Sequence, residues 1–138
     1  MAKKIVRAGV IPYYMKDEEP VMLFMKPSKA KYGGDVFQIA KGKVEEGESI
    51  KEGGLREAKE ELGLFEGNIS DLYELGTFMG RTTVYIAKIK DPDMFGLPGE
   101  ETGDTKWMTK DEFLSEGRDL HKPVIKAAAR LIEKKENA

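Results

Sequence analysis

The sequence of 138 residues contains no cysteine and only one histidine, His121. The missing thiols exclude disulfide bonds, thiolate metal sites and a cysteine nucleophile, and a single imidazole cannot build a multi-histidine metal site. No apolar run approaches the roughly 18 residues needed to span a bilayer, and the first residues show no apolar core followed by a cleavage site. We therefore expect a cytoplasmic protein that has no membrane partner.

The sequence also lacks an excess of charge of either sign, with 25 acidic against 23 basic side chains and a net charge of −2. Proteins that bind nucleic acid by bulk electrostatics are strongly basic, so this balance argues against such a partner. A content of 40% hydrophobic and 35% charged residues predicts one folded domain over residues 1–138. The acidic residues are nevertheless concentrated locally, because seven of them fall within 17 residues: Glu45, Glu46, Glu48, Glu52, Glu57, Glu60 and Glu61.

Hydrophobic patterning predicts strands interrupted by one helix and followed by another. Runs rich in β-branched and aromatic residues predict strands over residues 6–14, 21–25, 36–40, 72–78, 82–90 and 106–108. Ser49 and Glu52 form a capping-box pattern and Gly63 is a stop signal, which predicts a helix over residues 50–62. A second helix over residues 123–136 starts at a proline. This order predicts an α+β sandwich.

Two glycines lie inside the predicted first helix, where each costs roughly 1 kcal/mol relative to alanine. Gly53 and Gly54 therefore conflict with local helix propensity. A close approach of the helix to a neighbouring backbone would explain the missing side chains.

Three glutamates share one face of this predicted helix. Glu57, Glu60 and Glu61 are spaced i, i+3 and i+4, and each such like-charge pair costs an isolated helix roughly 0.2–0.5 kcal/mol. A hard divalent cation with oxygen ligands, Mg²⁺ or also Mn²⁺, would remove this repulsion. Arg56 could orient Glu48 or Glu60 through a bidentate hydrogen bond. The alternative is an acidic helix face that is only solvated.

The spacing of these residues distinguishes the two interpretations. From Gly42 to Leu64 the chain follows G-x5-E-x7-R-E-U-x-E-E-x-G-U, where U is aliphatic, with all seven fixed positions present. A chance match in a chain of this composition has a probability on the order of 10⁻⁵. The segment resembles the Nudix box, and the protein is therefore similar to Nudix hydrolases.

The resemblance implies a fold, an activity and a set of site residues. The implied fold is a Nudix-like α/β/α sandwich with a mixed central sheet, a box helix and a C-terminal helix. The implied activity is metal-dependent hydrolysis of the diphosphate bond of a nucleoside diphosphate linked to another group, such as a nucleoside triphosphate or a dinucleoside polyphosphate. By position in the box, Glu60 and Glu61 would bind metal and Glu57 would bind metal or activate water. The backbone carbonyl of Lys41 would complete the metal shell, and Arg56 with Glu48 would form a supporting ion pair.

Candidates also lie outside the box. Nudix hydrolases often add a carboxylate shortly before a tryptophan, and here either Glu101 or Asp104 precedes Trp107. Three cations are candidates for binding substrate phosphates, with ordinary surface exposure as the alternative: Lys41, Lys43 and Arg81. We expect His121 to be solvated at the start of the second helix.

Two other functions stay open at this stage. The chain could be a catalytically silent Nudix-fold sensor that binds a nucleotide, although the complete set of box glutamates favours an enzyme. It could also be a pyrophosphohydrolase of RNA 5′ ends, although the near-neutral charge disfavours a long RNA substrate.

Overall fold

In the part of the chain that the structure describes, six strands form one mixed sheet, with one α-helix after the third strand and two after the sixth. The computed structural model describes residues 5–29 and 35–138. The strands are β1 (Arg7–Lys16), β2 (Glu19–Pro27), β3 (Ala40–Lys43), β4 (Ile69–Phe78), β5 (Thr82–Ile89) and β6 (Thr102–Met108), and the helices are α1 (Ile50–Leu62), α2 (Lys110–Glu116) and α3 (Lys122–Glu136). No helix in these two ranges is long and apolar enough to cross a membrane.

Strand β1 is the centre of the sheet, whose order is β4-β5-β1-β2-β6. It runs parallel to β5 and antiparallel to β2 and β3, which makes the sheet mixed as predicted. The first half of β1 pairs with β3, so that Ala8 lies opposite Gly42 and Gly9 opposite Lys41. The start of the box is thereby placed beside the middle of the sheet.

Alternate residues of β1 face two separate cores, because successive side chains of a strand point to opposite faces. Ile11 and Tyr13 pack in a core with Val124 and Ile125 of α3, whereas Val10 packs in a second core with Ala58 of α1. Helices therefore cover both faces of the sheet. The predicted α+β sandwich is confirmed.

Helix α1 has the bounds that the sequence predicts. The Ser49 hydroxyl accepts a hydrogen bond from the Glu52 backbone N–H at 3.1 Å, and the Ser49 N–H donates to the Glu52 carboxylate at 2.8 Å. Gly63 ends the helix with a φ of 76°, in the left-handed region that glycine adopts without strain.

The two glycines inside α1 lie where the helix approaches its neighbours closely. A Cβ at Gly53 would come within 2.9 Å of the Glu48 carboxylate and 3.1 Å of Val44, and a Cβ at Gly54 would touch Ala8 of β1 at 3.4 Å. Both glycines are buried. The expected close packing of this helix is therefore observed, and it explains why poor helix formers are present here.

Two local predictions are wrong. The strand predicted over residues 36–40 is displaced, because Phe37 and Gln38 make only isolated bridges to Gly117 and Met25 and the regular strand β3 begins at Ala40. His121 is completely buried and not solvated, and its Nδ1 accepts a hydrogen bond from the Ile39 N–H at 3.1 Å.

Candidate active site

The guanidinium of Arg56 connects helix α1 to the segment that follows β3. Its Nε and Nη2 donate to the two oxygens of Glu48 at 3.1 and 2.8 Å, and Nη2 also donates to the Lys43 carbonyl at 2.9 Å. These hydrogen bonds hold the pKa of Glu48 below its usual value. Of the two carboxylates that Arg56 was expected to orient, Glu48 is the one bound in bidentate geometry.

The same guanidinium reaches the glutamate face of the helix. Arg56 Nη1 donates to Glu57 Oε1 at 2.9 Å and lies 3.5 Å from both carboxylate oxygens of Glu60. Glu57 is half-buried and packs against Gly42, where any side chain would overlap the carboxyl group. Burial raises the pKa of Glu57, while the hydrogen bond and charge of Arg56 oppose this rise.

Glu61 is the most deeply placed of the three glutamates. Its Oε2 is buried and has no hydrogen-bond partner in the described part of the chain. Burial and the negative charge of Glu57 raise the pKa of Glu61 to about 8. Two neighbouring carboxylates with an unpartnered buried oxygen are a donor set that suits a hard divalent cation.

The carboxylates of the three glutamates do not converge on a common point. Within residues 5–29 and 35–138, no group of three or more histidine, aspartate or glutamate side chains is arranged so that it could hold a metal ion. The carboxylate of Glu60 is exposed, whereas that of Glu61 is largely buried. The guanidinium of Arg56 contacts both Glu57 and Glu60 and therefore lies between their carboxylates. Binding a cation would therefore require a side-chain adjustment on this face.

The loop before β6 holds the end of α1 in place. The N–H groups of Gly96 and Gly99 donate to the carbonyls of Gly63 and Glu60 at 2.8 and 2.6 Å, and the Thr102 hydroxyl donates to the Glu61 carbonyl at 2.9 Å. Helix C-terminal carbonyls lack partners within the helix, and this loop supplies them. The backbone positions of the last two box glutamates thus depend on a distant segment.

The same loop places one of the two candidate carboxylates at the site. Glu101 lines a cavity of about 270 Å³ together with Glu60 and Glu61, and its charge acts on Glu57 as well as on Glu61. Asp104 does not line this cavity, and its carboxylate accepts a hydrogen bond from the backbone N–H of Thr105.

A larger cavity of about 500 Å³ opens on the other side of Glu61. Among the described residues, its wall contains four cations and one carboxylate: Arg7, Met25, Gln38, Ile39, Lys41, Gly42, Lys43, Glu61, Met79, Thr82, Arg118 and Leu120. Burial and the nearby charges of Arg118 and Arg7 lower the pKa of Lys41. Glu61 is thus the residue that joins the cationic cavity to the acidic one.

The sequence predicted two of these four cations. Lys41 and Lys43 line the cavity, whereas Arg81 is exposed and does not. Arg7 and Arg118 were missed, because neither belongs to a motif. The only signal for Arg7 was its position at the start of a strand, and the sequence contains no signal for Arg118.

Comparison with known structures agrees with this architecture. The Ap4A hydrolase of C. elegans, in a binary complex, superposes with a TM-score of 0.75 at 17% identity over 94% of this chain and 98% of that chain. The NUDIX domain of Shewanella oneidensis NrtR, complexed with ADP ribose, has a TM-score of 0.76 at 14% identity over 96% and 90%. A mutT/nudix family protein from Listeria innocua has a TM-score of 0.72 at 19% identity over 98% of both chains. No protein with curated annotation matches the sequence significantly.

A mixed sheet lies between helices, and an acidic helix face lies beside a cationic cavity. Residues 3–128 match the family model of the NUDIX domain. The chain therefore belongs to the Nudix family, and it is a hydrolase that acts on phosphorus-containing anhydrides. Nudix hydrolases generally use divalent metal cations.

Proposed function

We propose that this protein is a divalent-metal-dependent pyrophosphohydrolase that cleaves the diphosphate bond of a nucleoside diphosphate linked to another group. The observation that carries the proposal is the position of Glu61. Glu61 lines both the acidic cavity and the cationic cavity, and one of its carboxylate oxygens is buried without a hydrogen-bond partner in the described residues. A phosphate chain in the cationic cavity would therefore extend directly to the carboxylates.

The ligand set that we propose for the cation combines the residues that the Nudix box implies with one carboxylate that lines the acidic cavity. It consists of Glu57, Glu60, Glu61, the Lys41 carbonyl and, among the two outside candidates, Glu101. When bound, Mg²⁺ or Mn²⁺ supplies charge neutralisation and Lewis-acid activation of the phosphoryl oxygens. The unpartnered Glu61 oxygen fits such a hard cation.

The protein itself would position the water and receive its proton. We assign the general base to Glu57, because Gly42 and Arg56 hold its carboxylate in one place, and such a base is worth ~10²–10⁴-fold in rate. Glu48 fixes Arg56 and so acts on Glu57 indirectly. Lys41 and Lys43 would hold the substrate phosphates, and Arg81, which does not line the cavity, receives no role.

The experiment that tests this function is incubation of the pure protein, with Mg²⁺ or Mn²⁺ and with chelator, with a substrate panel. The panel contains nucleoside triphosphates, diadenosine tetraphosphate, ADP-ribose, NADH and triphosphorylated RNA, and the products are identified by mass. The structural neighbours support including the tetraphosphate and ADP-ribose. We expect monophosphate-bearing products only when metal is present.

Two variants make the test specific. Glu61→Gln removes a proposed ligand and is expected to abolish turnover, while Glu116→Gln changes an exposed glutamate of α2 and is expected to retain it. Full activity in Glu61→Gln would contradict the proposed site. Tight binding of a nucleotide without turnover under any condition would instead support the silent sensor.

A further inference from the structure

The cationic cavity has a composition that suits an anion better than a nucleobase. Its described lining contains four cationic side chains and no aromatic ring. Nucleobases are commonly held by stacking on aromatic side chains, whereas phosphates are held by arginine and lysine. The described lining next to Glu61 therefore favours an anionic group and offers no aromatic surface on which a base could stack.

None of the four cations forms an ion pair within 4 Å in the described parts of the chain, although the charges of Glu61 and Glu57 act on Lys41. Arg7, Lys41 and Arg118 make no ion pair within residues 5–29 and 35–138, and Arg118 Nη1 donates only to the Gln38 side-chain oxygen, at 3.1 Å. Some cations outside the cavity do form such pairs, as in the contact of Lys106 with Glu116 at 2.7 Å. Convergent cations that form no ion pair repel one another, and an anionic ligand removes that repulsion.

We propose that Arg7, Lys41 and Arg118 form a subsite for phosphate groups beyond the two that flank the scissile bond, so that the preferred substrates contain a chain of three or more phosphates. The inference rests on the proposed function, since it uses Glu57 and Glu61 to place the cleaved diphosphate. The next phosphate along the chain then falls in the cavity that these cations line. Nucleoside triphosphates, dinucleoside polyphosphates and triphosphorylated RNA ends share this chemistry.

Binding without metal tests the subsite separately from catalysis. Isothermal titration calorimetry with inorganic tripolyphosphate and pyrophosphate, in the presence of chelator, is expected to show at least tenfold tighter binding of tripolyphosphate. Arg118→Gln and Arg7→Gln are each expected to weaken tripolyphosphate binding by about tenfold, the usual effect of one charge-assisted hydrogen bond. Arg130→Gln, on the exposed face of α3, is the matched control and is expected to bind as the unmodified protein does.

Kinetics with metal then test substrate choice. For Arg118→Gln, the loss in kcat/KM on ATP, diadenosine tetraphosphate and triphosphorylated RNA is expected to exceed the loss on ADP-ribose by about tenfold, mainly through KM. The lowest KM among the three identifies the source of the polyphosphate chain. Thermal unfolding midpoints equal to that of Arg130→Gln would show that the variants are folded.

These experiments distinguish a failure of the proposed subsite from a failure of the proposed function. Equal losses on ADP-ribose and on the longer chains, or equal binding of pyrophosphate and tripolyphosphate, would overturn the subsite while hydrolysis itself supports the proposed function. Binding of tripolyphosphate that depends on Arg118, with no hydrolysis of any substrate, would support the subsite and refute the proposed function.

Discussion

Gly42 packs directly against the carboxylate of Glu57, so closely that a Cβ at position 42 would overlap the carboxyl group. The absence of a side chain at Gly42 therefore leaves room for the carboxylate of Glu57. Gly42 lies in β3 and Glu57 in α1, so this contact fixes the distance between the strand and the glutamate face of the helix.

Gly42→Ala is expected to lower kcat by about 100-fold, because an error of about 1 Å in the position of a catalytic group costs that much. The measurement is steady-state turnover together with the thermal unfolding midpoint. Gly67→Ala is the matched control, since a Cβ at Gly67 meets nothing within 4 Å. Similar kcat values for the two variants would show that the contact does not position Glu57.

Glu101→Gln is expected to raise the Mg²⁺ concentration needed for half-maximal activity by roughly tenfold, since its charge reaches both Glu57 and Glu61. Asp104→Asn should leave that concentration unchanged, because Asp104 lies outside the acidic cavity. The measurement is a metal titration of initial rates. An identical response of the two variants would refute the choice of Glu101.

Arg56→Lys is expected to lower kcat roughly tenfold or more, because lysine cannot make the bidentate contact with Glu48 while also reaching Glu57. Urea unfolding of Arg56→Lys, Glu48→Gln and the double variant is the accompanying test. We expect the double variant to lose less stability than the sum of the two single variants. Strict additivity would mean that the ion pair contributes nothing to the fold.

His121 predicts a pH dependence of stability. Burial, together with the charges of Arg118 and Lys41, lowers its pKa to about 3 in the folded protein. The unfolded chain binds a proton near pH 6.5 and the folded chain does not, so the contribution is present above pH 6.5 and is lost as the pH falls toward 3. Between pH 7 and pH 5 this amounts to about 2 kcal/mol of unfolding free energy.

The measurement for this prediction is urea unfolding at both pH values. His121→Asn retains an acceptor for the Ile39 N–H but does not titrate, so its loss of stability between pH 7 and pH 5 should be smaller by that amount. Equal losses in the two proteins would contradict the prediction, because carboxylates common to both would then account for the whole effect.

The sequence alone predicted the features that depend on neighbours along the chain. The bounds of α1 follow from the Ser49 capping box and from Gly63, and the shared face of its glutamates follows from helical spacing. The sequence offered Glu48 and Glu60 as partners of Arg56, and the structure shows a bidentate contact with Glu48 together with a hydrogen bond to Glu57 that the sequence did not predict. The strand predicted over residues 36–40 was displaced, because Phe37 and Gln38 make only isolated bridges and β3 begins at Ala40.

Only the tertiary structure decided which distant side chains share the cavities. Arg7 and Arg118 stand at opposite ends of the sequence and meet because β1 and the turn after α2 border the same space. Of Glu101 and Asp104, only Glu101 lines the acidic cavity, next to a loop that bonds to the carbonyls of α1. Local spacing determines which glutamates share one face of α1. The cations across the cavity come from distant segments, and their positions depend on the packing of the whole fold, which no short stretch of sequence encodes.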